Sequence, residues 1–273
     1  MTQMASPDER IRPQRPLENR FKRRLKAGEV SVGVYGDTLH PTIVEALGTA
    51  GVDFVVLDTE HNGYDLHQCT EAVRAAELFG ITPLVRVWDN NPRLINKALE
   101  TGAAGVVVPH VDTPELARQA VEATKYPPVG ARGVHPGTRA AGFGGNWNET
   151  WQRANEEVMV VLQPLESLDG IKNLDAILQV PGIDLISLGT GDISQVLGAP
   201  GRPSDPKVQE ARENALALCK QHGVPAYALT GGRPEETKAW YDKGVRTFMC
   251  GSDLGFVLSG ARSMMASVKG ALA

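Results

Sequence analysis

Phe54-Val55-Val56-Leu57-Asp58-Thr59-Glu60-His61 runs from four consecutive apolar residues straight into a polar turn. A short run rich in β-branched and aromatic residues reads as a strand. Because odd and even positions are equally apolar, both faces must be covered, as in a parallel sheet packed under helices. Val106-Val107-Val108 repeats the pattern. Outward from these two, apolar runs over 30–35, 53–58, 82–87, 105–109, 158–163, 183–188, 224–229 and 245–250 alternate with longer segments of helical period. Pro83 stands near the start of the third run, a place where a strand accepts proline. Gly51, Gly80, Gly102, Gly223 and Gly244 follow the intervening helices at C-cap positions. Eight strand-helix units in 273 residues predict a closed (β/α)8 TIM barrel rather than a doubly wound sheet, which has fewer strands.

The chain can bury a large core, with 42% hydrophobic residues and a net charge of -4. That charge offers no footprint for nucleic acid or an anionic membrane. Residues 1–26 hold eight basic against three acidic side chains, so 1–18 reads as a flexible basic arm ahead of a barrel domain over 19–273. Acidic Asp8 and Glu9 and the lack of an apolar core argue against a targeting peptide. Cys69, Cys219 and Cys250 lie far apart without a CxxC pair, which suits a reducing, cytoplasmic setting. No run is long enough to span a bilayer. The Pro-, Gly- and Arg-rich stretch over 126–155 reads as a functional or assembly loop.

Barrels carry their chemistry at the C-terminal ends of their strands, and here those ends are polar. Glu166 and Asp192 follow neighbouring strands, and closure would bring both carboxylates to one hard divalent cation. Read alone, either acid is an ordinary helix N-terminal residue compensating the dipole. His61 lies on the turn after the second strand, with Asp58 and Glu60 beside it, as a candidate base. His110 and the remaining histidines lack such a setting and carry no assignment. Arg86 ends an apolar strand, where an unpaired guanidinium would be costly. It calls for an anion, either a substrate carboxylate or developing enolate, or a structural partner across the barrel. No strand of the site ends in lysine, which argues against a Schiff base.

Taken in order, these residues resemble the HpcH/HpaI aldolase family of class II pyruvate aldolases. The motifs are Asn19-Arg20-Phe21-Lys22, Asp58-Thr59-Glu60-His61, Val85-Arg86, residues 105–109, Tyr126-Pro127-Pro128-Val129-Gly130-Ala131-Arg132-Gly133, Glu166 with Asn173-Leu174, and residues 189–194. The resemblance covers nearly everything from Asn19 onward. It implies Glu166 and Asp192 as ligands of Mg2+, Mn2+ or Co2+, with pyruvate chelating the ion and the backbone amides of Gly191 and Asp192 holding its carboxylate. It implies Arg86 as the enolate stabiliser and His61, supported by Asp58 and Glu100, as the proton carrier. The partners implied are a small 2-oxo acid and an aldehyde, within homo-oligomers that are often hexamers. Residues 126–155 and the apolar stretch 256–268 would supply interfaces. Related barrels cleave acyl-coenzyme A or decarboxylate oxaloacetate, and a non-catalytic 2-oxo acid binder is the remaining alternative.

The family reads Gln-x-Glu where this chain has Gln163-Pro164-Leu165-Glu166, one residue longer. An odd shift flips a strand's faces, so a bulge at Pro164-Leu165 is expected to keep both Gln163 and Glu166 inward.

Overall fold

The computed structural model describes residues 18–144 and 147–272; the arm expected over 1–18 lies, apart from Glu18, outside them. Eight parallel strands close on themselves in chain order: β1 Ser31–Gly36, β2 Phe54–Asp58, β3 Thr82–Arg86, β4 Gly105–Val108, β5 Met159–Leu162, β6 Leu185–Leu188, β7 Ala226–Leu229 and β8 Thr247–Ser252. All eight expected strands are present. The helices are α1 Arg20–Lys26, α2 Pro41–Thr49, α3 Leu66–Phe79, α4 Pro92–Glu100, α5 Pro114–Thr124, α6 Trp147–Glu157, α7 Leu168–Ile177, α8 Gly191–Val196, α9 Pro206–His222, α10 Pro234–Asp242 and α11 Asp253–Leu272. Helix α6 occupies the last third of the stretch read from sequence as a long loop, and a 3-10 turn at Gly142–Gly144 precedes it.

The two-residue period of each strand sorts side chains between two cores. Val55, Leu57, Val85, Val106, Val108, Val160 and Leu162 pack outward under the helices. Phe54, Val56, Leu84, Val107, Met159, Val161, Leu185, Tyr227 and Met249 fill the barrel interior. Phe21 of α1 joins that inner set, stacked on Phe54 with ring centroids 4.1 Å apart, and so plugs the N-terminal end of the barrel. Asn19 fixes the plug: its side chain caps Lys22 N and donates to the carbonyls of Ala104 and Glu157. Gly33 on β1 leaves the room that the Phe54 ring occupies, since a Cβ there would stand 2.2 Å from it. Gly80 and Gly223 close α3 and α9 in the left-handed region, as the sequence predicts. Among the described residues no helix is long and apolar enough to cross a membrane.

Candidate active site

The same parity aims the last inward residue of several strands at one mouth. Tyr35 on β1, Asp58 on β2, Arg86 on β3, Ser187 on β6 and Leu229 on β7 all belong to the inward rows. A cavity of about 190 Å3 at that end is lined by Tyr35, His61, Arg86, Gln163, Ser187 and Glu166, with Thr190, Gly191 and Asp192 from the start of α8. Six of the eight residues singled out from sequence meet there: His61, Arg86, Gln163, Glu166, Gly191 and Asp192. Asp58 lines the adjoining cavity.

Arg86 is only 8% exposed. Its Nε donates to one oxygen of Asp58 at 2.8 Å and its Nη2 to the other at 2.7 Å, a bidentate charge-assisted pair. Nη1 stands 3.0 Å from Glu60 Oε2, and the guanidinium lies over the Tyr35 ring at 4.9 Å. Burial alone would weaken Arg86 as a cation and Asp58 as an anion; the bonds between them outweigh it. The guanidinium is held above its ordinary pKa and the Asp58 carboxyl below its own. Arg86 thus presents a fixed positive charge whose in-plane partners are protein carboxylates; the structural partner weighed as the alternative to a substrate anion is present, on the neighbouring strand β2 rather than across the barrel.

Asp58 makes no hydrogen bond to His61 among the described residues: Arg86 takes both of its oxygens and Asn62 and the Glu60 N–H take what remains, so the two meet only through their charges. The acid nearest the imidazole is Glu60, whose Oε2 is 3.6 Å from His61 Nε2. His61 itself projects from the rim, with its side chain 62% exposed. Glu60 also approaches a second histidine, with Oε1 3.6 Å from His110 Nε2. His110 holds a left-handed backbone at φ 52° and donates its N–H to Glu166 Oε2 at 2.7 Å. Sequence reasoning left His110 unassigned; the signal was its place directly after Pro109 at the end of β4.

Glu100 does not join this site within its own chain. Helix α4 runs antiparallel to β3, so fourteen residues beyond Arg86 the chain has returned to the opposite end of the barrel. There Glu100 Oε1 accepts from Arg132 Nη2 at 3.3 Å, and Arg132 in turn lies over the Tyr126 ring.

The extra residue before Glu166 is absorbed differently from expectation. Strand β5 ends at Leu162 with an unbroken register against β4, and no bulge forms. Gln163 adds one further ladder bond, N to Val108 O at 3.0 Å, and faces inward by parity. A turn then carries Pro164, Leu165 and Glu166 over the mouth. The strand can stop because its neighbours stop: β4 ends at Val108, and β6 pairs only with Val161 and Leu162. Beyond the ladder, the missing N–H of Pro164 costs no bond.

Glu166 is the most perturbed carboxyl at the mouth, pushed up to about 8 by burial, with the charges of Glu60 and Asp192 adding to the effect. Gln163 Oε1 is buried without a hydrogen-bond partner among the described residues. A buried acid facing other acids beside an orphaned amide oxygen fits a hard cation, which would relieve the repulsion and need few protein ligands. Among the described residues no three His, Cys, Asp or Glu side chains stand together as a complete metal cage. The carboxylates in the lining of the first cavity are Glu166 and Asp192. Neither cavity of the mouth is lined by a lysine.

Residues 31–259 match the family model HpcH/HpaI aldolase/citrate lyase. The chain is 35% identical over 246 residues to a 2-dehydro-3,6-dideoxy-6-sulfogluconate aldolase of Pseudomonas putida, covering 90% of this chain and 95% of that protein. It is 35% identical over 213 residues to a hydroxypyruvate/pyruvate aldolase of Sagittula stellata, covering 78% and 83% respectively. Among solved structures, the citrate synthase SbnG superposes with a TM-score of 0.84 at 32% identity, covering 93% of this chain and 98% of that one.

Proposed function

The chain belongs to the HpcH/HpaI aldolase/citrate lyase family and is a carbon-carbon lyase, and from that premise we propose that it reversibly cleaves a 4-hydroxy-2-oxo acid to pyruvate, or a close 2-oxo acid, and an aldehyde. One observation carries the reading: His61, Arg86, Gln163, Glu166 and Asp192, brought by four different strand ends, line a single cavity. A divalent cation, magnesium, manganese or cobalt, would be held there by Glu166 and Asp192 and would supply Lewis acidity at the keto oxygen.

The chain's own residues do the rest. The Arg86 charge would stabilise the negative charge that develops on the keto oxygen as the carbon-carbon bond breaks, and its fixed ion pairs mean that no reorganisation is needed at that moment. His61, at the rim, accepts the proton of the C4 hydroxyl, and Glu60 stabilises the imidazolium that results. Thr190 makes no side-chain cap to α8, so the first amides of that helix, at Gly191 and Asp192, are free to bind the substrate carboxylate. Gln163 offers its unpaired amide oxygen to the same cavity.

The likeness to a citrate synthase favours one second reading, in which the site handles oxaloacetate or a coenzyme A thioester through the same enolate. The setting proposed is the cytoplasm, in keeping with three free cysteines, and the working form is a homo-oligomer. Activity on a 4-hydroxy-2-oxo acid is expected to vanish with EDTA and return with magnesium, manganese or cobalt. Manganese binding followed by calorimetry is expected to be lost in Glu166→Gln. Full activity in EDTA would refute the metal requirement, and turnover of thioesters alone would favour the second reading.

A further inference from the structure

The cavity holding Arg86 and Glu166 opens past Tyr35, His61 and Leu229 into a second one. The first measures about 190 Å3, the second about 510 Å3. On the aldolase reading a three-carbon oxo acid would fill the smaller chamber, and the remainder of a longer substrate would extend into the larger. One wall of that chamber is formed by Gly231 and Arg233, on the loop after β7 that also holds Gly232. Both glycines are left-handed, at φ 57° and 73°, and a Cβ on Gly232 would stand 3.1 Å from the Cys250 carbonyl oxygen. The loop is therefore pressed onto β8. The Arg233 N–H closes it on Thr230 O at 3.1 Å.

The side chain of Arg233 is held by one edge. Nε donates to Glu236 Oε2 at 2.8 Å, and Nη2 donates to the same oxygen. Glu236 is itself 3.5 Å from buried Arg212, which anchors the carbonyls of Leu188 and Leu229 at the ends of β6 and β7. Nη1 lies over Gly231, 3.0 Å from the place a Cβ would occupy, and has no hydrogen-bond partner among the described residues. A guanidinium fixed on one edge and open on the other is prepared for a second oxyanion. The other acids of the chamber are Asp58, neutralised by Arg86, and Asp37 at the end of β1, which repels an anion from its own side.

We propose that Arg233 is a specificity-determining residue that binds a carboxylate, sulfonate or phosphate at the far end of the aldehyde half of the substrate. The proposal rests on the aldolase reading, and its test separates the two. The full-length enzyme, loaded with magnesium, would be assayed for addition of pyruvate to succinic semialdehyde against butanal, and to glyceraldehyde 3-phosphate against glyceraldehyde. The anionic member of at least one pair is expected to be preferred, and the pair that responds identifies the anion. Arg233→Met is expected to lower that preference, as a ratio of kcat/KM values, by about tenfold or more. Arg233→Lys should keep part of it and Arg233→Glu should invert it. A ratio unchanged in Arg233→Met, or no preference in the parent enzyme, overturns the proposal. Exchange of pyruvate methyl protons with solvent needs no aldehyde; its absence from the parent enzyme overturns the aldolase reading itself.

Discussion

Arg86 and Asp58 form a buried pair in which each residue is expensive without the other. Removing the guanidinium leaves a carboxylate that is 2% exposed with no cation, a change that typically costs roughly 3–5 kcal/mol. Arg86→Ala is therefore expected to lose turnover by orders of magnitude and also to melt earlier. Arg86→Lys should keep the charge but lose the two-pronged bond, and so recover stability more than activity. A melting temperature for Arg86→Ala equal to the parent's would mean that the pair contributes nothing. At the other end of the barrel, Lys125 is nearly buried, with Nζ on the carbonyl of Val158 at 2.7 Å. Burial, reinforced by the neighbouring charge of Lys22, lowers it from 10.5 to about 8. Between those two values the unfolded chain binds a proton that the folded chain does not, so stability rises with pH across that window. Below about 8 the cost of the charged form is borne in full. Urea midpoints at pH 8 and pH 10.5 are expected to converge in Lys125→Met; an undiminished difference would place the effect elsewhere.

The turn between β5 and α7 is the element on which the site depends most. Ser167 caps α7 by accepting from Gly170 N at 2.9 Å, and its hydroxyl donates to Asp112 at 2.5 Å. Gly170 sits so close under the turn that a Cβ would stand 1.9 Å from the Pro164 carbonyl oxygen. Glu166 lies between these two contacts. Gly170→Ala must push α7 or the turn aside, at a cost of roughly 1–3 kcal/mol for overpacking, and is expected to weaken manganese binding measured by calorimetry. Unchanged affinity together with unchanged melting would show that the close fit has no bearing on the site. The odd residue count before Glu166 was legible in the sequence, and so was the need to keep Gln163 inward. That the chain meets it with a turn was not, because the outcome depends on where β4 and β6 stop pairing.

In the whole molecule, α11 stands apart from the barrel it follows. Asp253 is buried and pinned by the backbone N–H groups of Asp37 and Thr38 and the Thr38 hydroxyl. From Leu254 onward every described residue is exposed, including Phe256, Val257, Met264 and Val268. Apolar side chains exposed along the helix from 254 to 272 need a cover, and a second copy of the chain is the cover proposed for them. Light scattering is expected to give a multiple of 29.3 kDa, and Val257→Glu with Met264→Glu to reduce it; a single-chain mass at every concentration would refute assembly. The eight-unit barrel and the strand ends that carry Arg86, Gln163, Glu166 and Asp192 followed from the sequence alone, because strand parity and apolar runs are local properties. The choice of partners did not. Asp58 binding Arg86 rather than His61, His110 meeting Glu60 and Glu166, and Glu100 facing Arg132 at the far end were decided by barrel closure and by helices that reverse direction after each strand. Those contacts join residues distant in the chain, and only the closed ring sets which of them fall within bonding distance.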